Sequence, residues 1–179
     1  MSGPLSNING RTTVGCFQYG DGKNTAFAGA EARYNFNQGY AGVGGYVATD
    51  NFDNAYGLVD LKSKVNYDDK GITEGNIRVR TGFDDNLKFT QIRVSPCTVN
   101  IPITKDVSLY NNLNYAGKYD YQKEQWSHSA SNFLGVSWNA TKNLNISVEA
   151  QGYNLQKVVT GEKFKKDDIS GNLFVTWKF

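Results

Sequence analysis

The sequence predicts an all-β protein: a transmembrane, antiparallel, up-and-down β-barrel of about ten strands, with eight strands as the alternative. Apolar and polar residues alternate with a period of two along most of the chain, whereas a helix would need spacings of three and four. Glycine is frequent (19 residues) and proline rare (3), and there are 11 Tyr, 10 Phe and 3 Trp. The aromatic residues collect at the ends of the alternating segments, where membrane interfaces hold them.

Size and charge narrow the class of protein. The 179 residues fit one domain, 1–179, in which residues 1–10 are predicted to form a flexible N-terminal segment. A net charge of +2 gives no basic field for nucleic acid. No apolar run reaches about 18 residues, so no membrane-spanning helix is predicted. The first residues lack the pattern of a secretory signal, which fits either a cytoplasmic protein or a mature chain.

Taken in chain order, the segments differ in clarity. The first, near residues 12–19, is the weakest, and residues 39–49 are apolar or glycine on both faces. Residues 88–103 change parity at Pro96, which predicts a β-bulge or a break into two strands. Clear alternation marks the remaining segments: 24–36, 55–67, 75–83, 132–140, 143–153 and 170–179.

Turn signals separate these segments. Short connections are predicted at 37–39, 104–106 and 141–143, and long polar loops at 118–131 and 156–168. Alternate connections of a meander lie at one end of a barrel, so one end is expected to carry tight turns and the other large loops. Residues 67–75 are long for the turn side, and residues 83–89 suit a tight turn on the loop side. The eight-strand alternative therefore stays open.

The polarity of the rows favours a membrane barrel. In each alternating segment, every second residue forms a row on one face of the strand. The apolar rows contain many small side chains, which would leave a soluble core underfilled but suit contact with lipid. The polar rows carry both charges at mid-strand, as a lumen filled by ion pairs and water would. The rival is a soluble secreted β-barrel that binds a small apolar ligand. The residues predicted to line the interior or a pore are Glu31, Arg33, Asp60, Lys62, Lys64, Arg78, Arg80, Arg93 and Glu149.

The last ten residues carry a family resemblance. Leu173, Val175, Trp177 and the terminal Phe179 alternate with polar residues, and only Phe174 breaks the pattern. This segment resembles the C-terminal assembly signal of bacterial outer-membrane β-barrel proteins, a class that includes small OmpA-, OmpX- and OmpW-like barrels and porins. No subfamily is matched. The resemblance implies a bacterial outer-membrane location, contact with the lipid bilayer and lipopolysaccharide, and recognition by the barrel-assembly machinery.

A catalytic site is not predicted, and neither a cofactor nor a metal is expected. His128 is the only histidine, it lies within the predicted loop 118–131, and Glu149 on the next strand could orient it. Outer-membrane lipid A deacylases use a His-x-Ser arrangement, whereas this chain has Ala130 at the serine position. A lipid-modifying enzyme that uses His128 is kept as the second alternative. Cys16 and Cys97 match no metal motif, and their pairing stays open.

The function predicted from these patterns is that of a small porin-like channel or of a structural, loop-presenting membrane protein. The basic interior residues would bias a pore toward anions, and a charge-neutralised plug is an equal alternative. Assembly into a homo-oligomer or a larger envelope complex stays open. The lysines predicted to contact lipopolysaccharide phosphates are Lys157, Lys163, Lys165 and Lys166.

Overall fold

The structure, a computed structural model, describes residues 7–19, 22–153 and 168–179, and these form ten antiparallel strands. Each strand pairs with the next along the chain, and β10 pairs with β1, so the sheet closes into an up-and-down barrel. The prediction of ten strands is confirmed, and the eight-strand alternative is wrong. The strands are β1 (Ile8–Tyr19), β2 (Asn24–Phe36), β3 (Gly39–Asp50), β4 (Asn54–Asn66), β5 (Thr73–Phe83), β6 (Leu87–Pro102), β7 (Val107–Asp120), β8 (Gln125–Asn139), β9 (Leu144–Tyr153) and β10 (Ile169–Lys178).

The seam between β1 and β10 is a continuous antiparallel ladder. Val14 lies opposite Val175, and the pairing continues to Tyr19 and Ser170. At its end, the amide of Gly10 donates to the carbonyl of Phe179 at 3.1 Å, and the amide of Phe179 donates to the carbonyl of Gly10 at 3.0 Å. Closure removes the free edges that an open sheet would leave unpaired in lipid.

The connections that the structure describes are short at both ends of the barrel, so the prediction of large loops at one end is wrong for them. The terminal end carries Ile8, Phe179 and the turns 37–38, 67–72, 103–106 and 140–143, whereas the distal end carries the turns 51–53, 84–86 and 121–124. The tight turn within 83–89 is confirmed. The long loop at 118–131 is wrong, because β7 and β8 extend through it and leave only the turn 121–124. The predicted loop 156–168, with its four lysines, lies almost entirely outside the described residues.

The start of β1 and the middle of β6 test two further predictions. Residues 8–10, assigned to a flexible segment, belong to β1, where Asn9 pairs with Arg33 and Gly10 with Ala32. Residues 1–6 of that segment lie outside the described part of the chain. β6 crosses Pro96 as one strand, with a register shift between Val94 and Cys97. The bulge at Pro96 is confirmed, and it explains the change of parity.

The outer surface of the barrel is apolar. Leu61, Val43 and Leu134 leave more than half of their surface exposed, at 55%, 51% and 58%. Such exposure along a whole strand row is costly in water and favourable against lipid chains. Within the described residues, no helix is long and apolar enough to cross a membrane.

Aromatic side chains flank this apolar surface at both ends. On β8, Trp126 near the distal end and Trp138 near the terminal end are both exposed. At about 3.3 Å per residue and a strand tilt of about 40°, they lie roughly 30 Å apart along the barrel axis. That separation brackets the apolar band of about 25 Å that a membrane barrel presents between its two aromatic girdles. The exposed rings near the ends are Tyr34, Phe36, Tyr67, Trp138, Trp177 and Phe179 at the terminal end, and Phe52, Phe83, Tyr121 and Trp126 at the distal end, whereas the exposed Tyr115 lies within β7.

Candidate functional site

A cavity of about 1090 Å³ runs through the inside of the barrel. Its lining includes Lys23 and Asn51 at the distal end, and Arg11, Tyr40 and Lys178 at the terminal end. One cavity therefore reaches both ends of the molecule. Because successive side chains of a strand point to opposite faces, every second residue of each strand can contribute to it.

Glu31 is the centre of the first ionic cluster. Its carboxylate accepts hydrogen bonds from Lys62 Nζ at 2.6 Å, from Tyr46 Oη at 2.8 Å and from Arg33 Nε. Lys62 also donates to the Tyr46 hydroxyl at 2.9 Å and lies 3.7 Å from Asp60 Oδ2. Three adjacent strands are thus joined inside the barrel by charge-assisted hydrogen bonds, which are the stronger kind.

Asp60 is the centre of the second cluster. Arg80 lies directly opposite it across the ladder between β4 and β5, and donates to both of its carboxylate oxygens. Asp60 is fully buried, whereas the Arg80 side chain keeps 18% of its surface exposed toward the cavity. The pair fixes the guanidinium in one orientation and leaves its outer surface accessible.

Arg78 and Arg93 form a like-charge pair. They lie opposite each other across the ladder between β5 and β6, and both line the cavity. The Nε of Arg78 is buried without a hydrogen-bond partner among the described residues. Like charges directly opposite each other are unfavourable in a sheet, so this pair is a local concentration of positive charge that an anion would relieve.

Glu149 lies on the other side of the interior, on β9. Tyr110 Oη donates to its Oε2 at 2.7 Å, and Asn172 Nδ2 donates to its Oε1 at 2.7 Å. Near the terminal end, Lys64 and Glu74 form another ion pair at 2.5 Å. Neutral donors hold Glu149, so its charge is oriented but not cancelled by a contacting cation in these bonds.

The cavity lining is positively charged overall. Among the described residues that line it, nine are basic and three are acidic. A low-dielectric wall focuses such an excess, and the resulting field raises the local concentration of anions. The basic residues are Arg11, Lys23, Arg33, Lys62, Arg78, Arg80, Arg93, Lys118 and Lys178, and the acidic ones are Glu31, Asp50 and Glu149.

A neutral hydrogen-bonded belt occupies the opposite part of the wall. Ser131 Oγ donates to Asn114 Oδ1 at 3.0 Å, and Gln151 Nε2 donates to Ser131 Oγ at 3.3 Å. Ser170 continues the chain to Gln151 at 3.4 Å. These buried polar groups satisfy one another, so they hold β7 to β10 in register without adding charge.

The structure brings most of the predicted interior residues to the cavity and places the C-terminal set on the outside. Glu31, Arg33, Lys62, Arg78, Arg80, Arg93 and Glu149 line the cavity, Asp60 is buried against Arg80, and Lys64 pairs with Glu74. Leu173, Trp177 and Phe179 are exposed on the outer surface at 40%, 47% and 68%. Val175 lies with Leu173 along an outer apolar groove.

Sequence analysis missed the aromatic residues of the interior. Phe17, Phe27 and Phe174 line the cavity, and none of them was among the predicted interior residues. A signal was present: Phe27 and Phe174 stand in the polar rows of their segments, and a ring in a polar row points inward. Arg11 and Tyr110 were also missed, because their segments alternate weakly.

In the described part of the chain, His128 contacts Tyr115 and Trp126 rather than Glu149. It lies in β8 rather than in a loop, its Nδ1 is 2.6 Å from the hydroxyl of Tyr115, and its ring stacks beside Trp126. His128 and Trp126 are exposed on the outer face, whereas Glu149 lines the cavity on the other side of the barrel wall. The prediction that Glu149 orients His128 is therefore wrong, because the two side chains lie on opposite sides of the barrel wall.

The cysteines and acidic residues form neither a disulfide nor a metal site in the described part of the chain. Cys16 and Cys97 are free and exposed, on β1 and β6. Within residues 7–19, 22–153 and 168–179, no group of three or more His, Cys, Asp or Glu side chains could hold a metal ion.

Comparison with known proteins gives likenesses of shape. No protein-family model and no curated protein sequence matches the chain. Among solved structures, the NanC porin gives a TM-score of 0.49 at 12% identity, covering 96% of this chain and 100% of that one. The KdgM porin in complex with disordered oligogalacturonate gives 0.48 at 13%, covering 96% and 98%. The outer-membrane protease OmpT from Escherichia coli gives 0.43 at 11%, covering 100% and 99%. At these scores the likenesses carry no argument about what the chain does.

Proposed function

We propose that this chain is a bacterial outer-membrane β-barrel that acts as a narrow, anion-selective channel and has no enzymatic activity. The single observation that carries the proposal is the cavity of about 1090 Å³ that reaches both ends of the barrel with nine basic and three acidic lining residues. A water-filled passage with this excess of positive charge favours anions over cations.

The membrane location is supported by the exterior. The exposed apolar rows and the two aromatic girdles have the spacing that a bilayer needs, and the closed sheet leaves no unpaired edge. A soluble barrel with an apolar ligand would have the reverse polarity, with charge outside and an apolar cavity. The proposed partners are accordingly the lipid bilayer, lipopolysaccharide and the barrel-assembly machinery, the last through the C-terminal strand.

The charges of the side chains favour a channel over a neutralised plug. The ion pairs of Glu31 and Asp60 use Arg33, Lys62 and Arg80, and Arg11 and Arg78 line the cavity in addition to those pairs. Even when Glu149 is counted against them, positive charge remains. A plug would need matched charges throughout its packed interior.

Ion selectivity in a planar bilayer tests this proposal. The barrel is refolded in detergent and inserted into a planar bilayer under a tenfold KCl gradient. The sign of the reversal potential should show that chloride permeates better than potassium. Replacing Arg11, a lining residue, by Gln should reduce that potential, whereas Lys105→Gln, at an exposed turn, should leave it unchanged. Folded barrel without conductance steps would instead support a structural, loop-presenting protein, and a preference for potassium would reject the proposal.

A further inference from the structure

The cavity has an aromatic wall, formed by Phe17, Phe27 and Phe174 on β1, β2 and β10. The ring centroids of Phe17 and Phe27 are 5.5 Å apart, those of Phe17 and Phe174 are 5.5 Å apart, and those of Phe27 and Phe174 are 5.9 Å apart. All three residues line the cavity. Three clustered rings in a wet, charged lumen present an apolar surface that water solvates poorly, and a flat apolar solute would cover it.

The cavity also has a cationic wall, formed by Arg78, Arg80 and Arg93 on β5 and β6. Asp60 orients Arg80, and Arg78 faces Arg93 across the ladder. The guanidinium groups present several N–H donors in a planar fork, which is the geometry that carboxylates accept.

The two walls face each other. In the ring of ten strands, β1 and β6 are five places apart in both directions, so they lie on opposite sides of the lumen. Ten strands at about 4.8 Å spacing and a tilt of about 40° enclose a barrel roughly 20 Å across between backbones, so long side chains from both walls approach each other.

Tyr46 shows that the walls lie at the same depth. Its ring centroid is 6.1 Å from that of Phe27 and 6.0 Å from the guanidinium carbon of Arg80. One residue on β3 thus contacts the aromatic wall on one side and the cationic wall on the other. A solute at this level meets both surfaces.

We infer that the mid-barrel lumen binds organic anions that combine a carboxylate with a flat apolar ring, that is, aryl carboxylates. The carboxylate would be held by the arginines and the ring by the phenylalanines. This inference rests on the proposed channel function for its route of access, and it adds the substrate class. Small anions such as acetate or chloride can use only the cationic wall, so they should bind less tightly.

The test compares benzoate with acetate. Benzoate added to the KCl solution should block single-channel current at a concentration about fivefold lower than acetate, the scale expected of one ring contact. Binding of 4-fluorobenzoate to the barrel in detergent, followed by ¹⁹F line broadening, measures the same site without conductance. Heat-dependent gel migration verifies that each variant is folded.

Variants separate the two walls. Phe174→Leu keeps an apolar side chain but removes one ring of the aromatic wall, so it should reduce the preference for benzoate over acetate. Arg78→Gln should weaken the binding of both benzoate and acetate. Phe89→Leu is the matched control, since Phe89 lines the cavity beside Tyr56 and Lys118 outside the aromatic wall.

The results distinguish failure of the aryl carboxylate site from failure of the channel. Anion selectivity with equal binding of benzoate and acetate would overturn this inference and leave the proposed function standing. An unchanged benzoate preference in Phe174→Leu would also overturn it. Fluorobenzoate binding that depends on Phe174 and Arg78 in a barrel that does not conduct would support the site and reject the channel.

Discussion

Arg80 holds Asp60 through two parallel hydrogen bonds, from Nε to Oδ1 at 2.6 Å and from Nη2 to Oδ2 at 2.7 Å. The carboxylate has no solvent exposure. This pair joins β4 to β5 at the level of the cavity, so it is both a structural bond and the support of the cationic wall. It therefore gives the first prediction.

Replacing Asp60 by Asn should destabilise the folded barrel by about 3 kcal/mol, because it leaves Arg80 without its carboxylate partner in a confined lumen. Urea unfolding in detergent, followed by tryptophan fluorescence, measures the change. Asp106→Asn is the matched control, since Asp106 pairs with Lys105 only at an exposed turn and at 3.9 Å. Equal unfolding midpoints for the two variants would contradict the assignment.

Gly29→Ala should destabilise the barrel by about 1–3 kcal/mol, because the close approach of β3 leaves no room for a methyl group. A Cβ at Gly29 would lie 2.3 Å from the carbonyl oxygen of Gly45 and 2.3 Å from the ring of Tyr46. A Cβ at Gly45 would meet nothing within 4 Å. Gly45→Ala should thus be neutral or slightly stabilising in the same unfolding assay, and a reversed order of the two would be inconsistent with this packing.

Leu61→Arg should cost about 2–4 kcal/mol in lipid vesicles, the scale measured for arginine at the mid-plane on the lipid face. Leu61 is 55% exposed in the middle of β4. Ile103→Arg, at a position that is 57% exposed in a terminal-end turn, should cost about 0–1 kcal/mol. Folding titrations into vesicles measure both, and equal costs would mean that the outer face does not contact lipid.

The turn at 67–72 should show a pH dependence through Asp68. Hydrogen bonds from the hydroxyl and amide of Thr73, and from the amides of Ile72 and Lys70, hold the pKa of Asp68 below its ordinary value of 3.8. A carboxylate with a lowered folded pKa stabilises the fold fully above its unfolded pKa, and that contribution is lost as the pH falls through the folded pKa.

Asp68→Asn should therefore lower the unfolding midpoint at pH 7, and the difference from the parent protein should shrink as the pH falls below about 4. Asp69→Asn removes a charge from the same turn without touching these bonds, and serves as the control. Urea titrations between pH 7 and pH 2 measure the difference. A gap that stays constant over this range would show that Asp68 acts without its charge.

Deletion of Phe179 should reduce the amount of folded barrel in outer membranes, because it removes the last paired residue of the seam and the terminal ring of the C-terminal segment. Phe179→Tyr keeps an aromatic ring and both backbone bonds to Gly10, so it should assemble normally. Immunoblots of heated and unheated membrane fractions separate folded from unfolded protein. Unchanged membrane levels of the deletion variant would count against an assembly role.

Most strands and the polarity of their two faces could be predicted from the sequence, because side chains alternate with a period of two regardless of their partners. The rows that contain Ala26 and Leu61, and those that contain Lys62 and Arg80, could be assigned to opposite faces before any fold was known. The prediction of a loop at 118–131 was wrong, because the strands there are rich in polar residues and their composition resembles that of a loop.

Which residues meet across the lumen depends on the closed barrel and could not be predicted from the sequence. Closure of ten strands places Phe17 and Phe174 opposite Arg78 and Arg93, and the register sets Asp60 against Arg80 rather than against another arginine. These contacts join residues far apart in the chain, so they depend on strand number, register and closure together. Alternation specifies the face of each side chain, but it carries no information about the opposite wall.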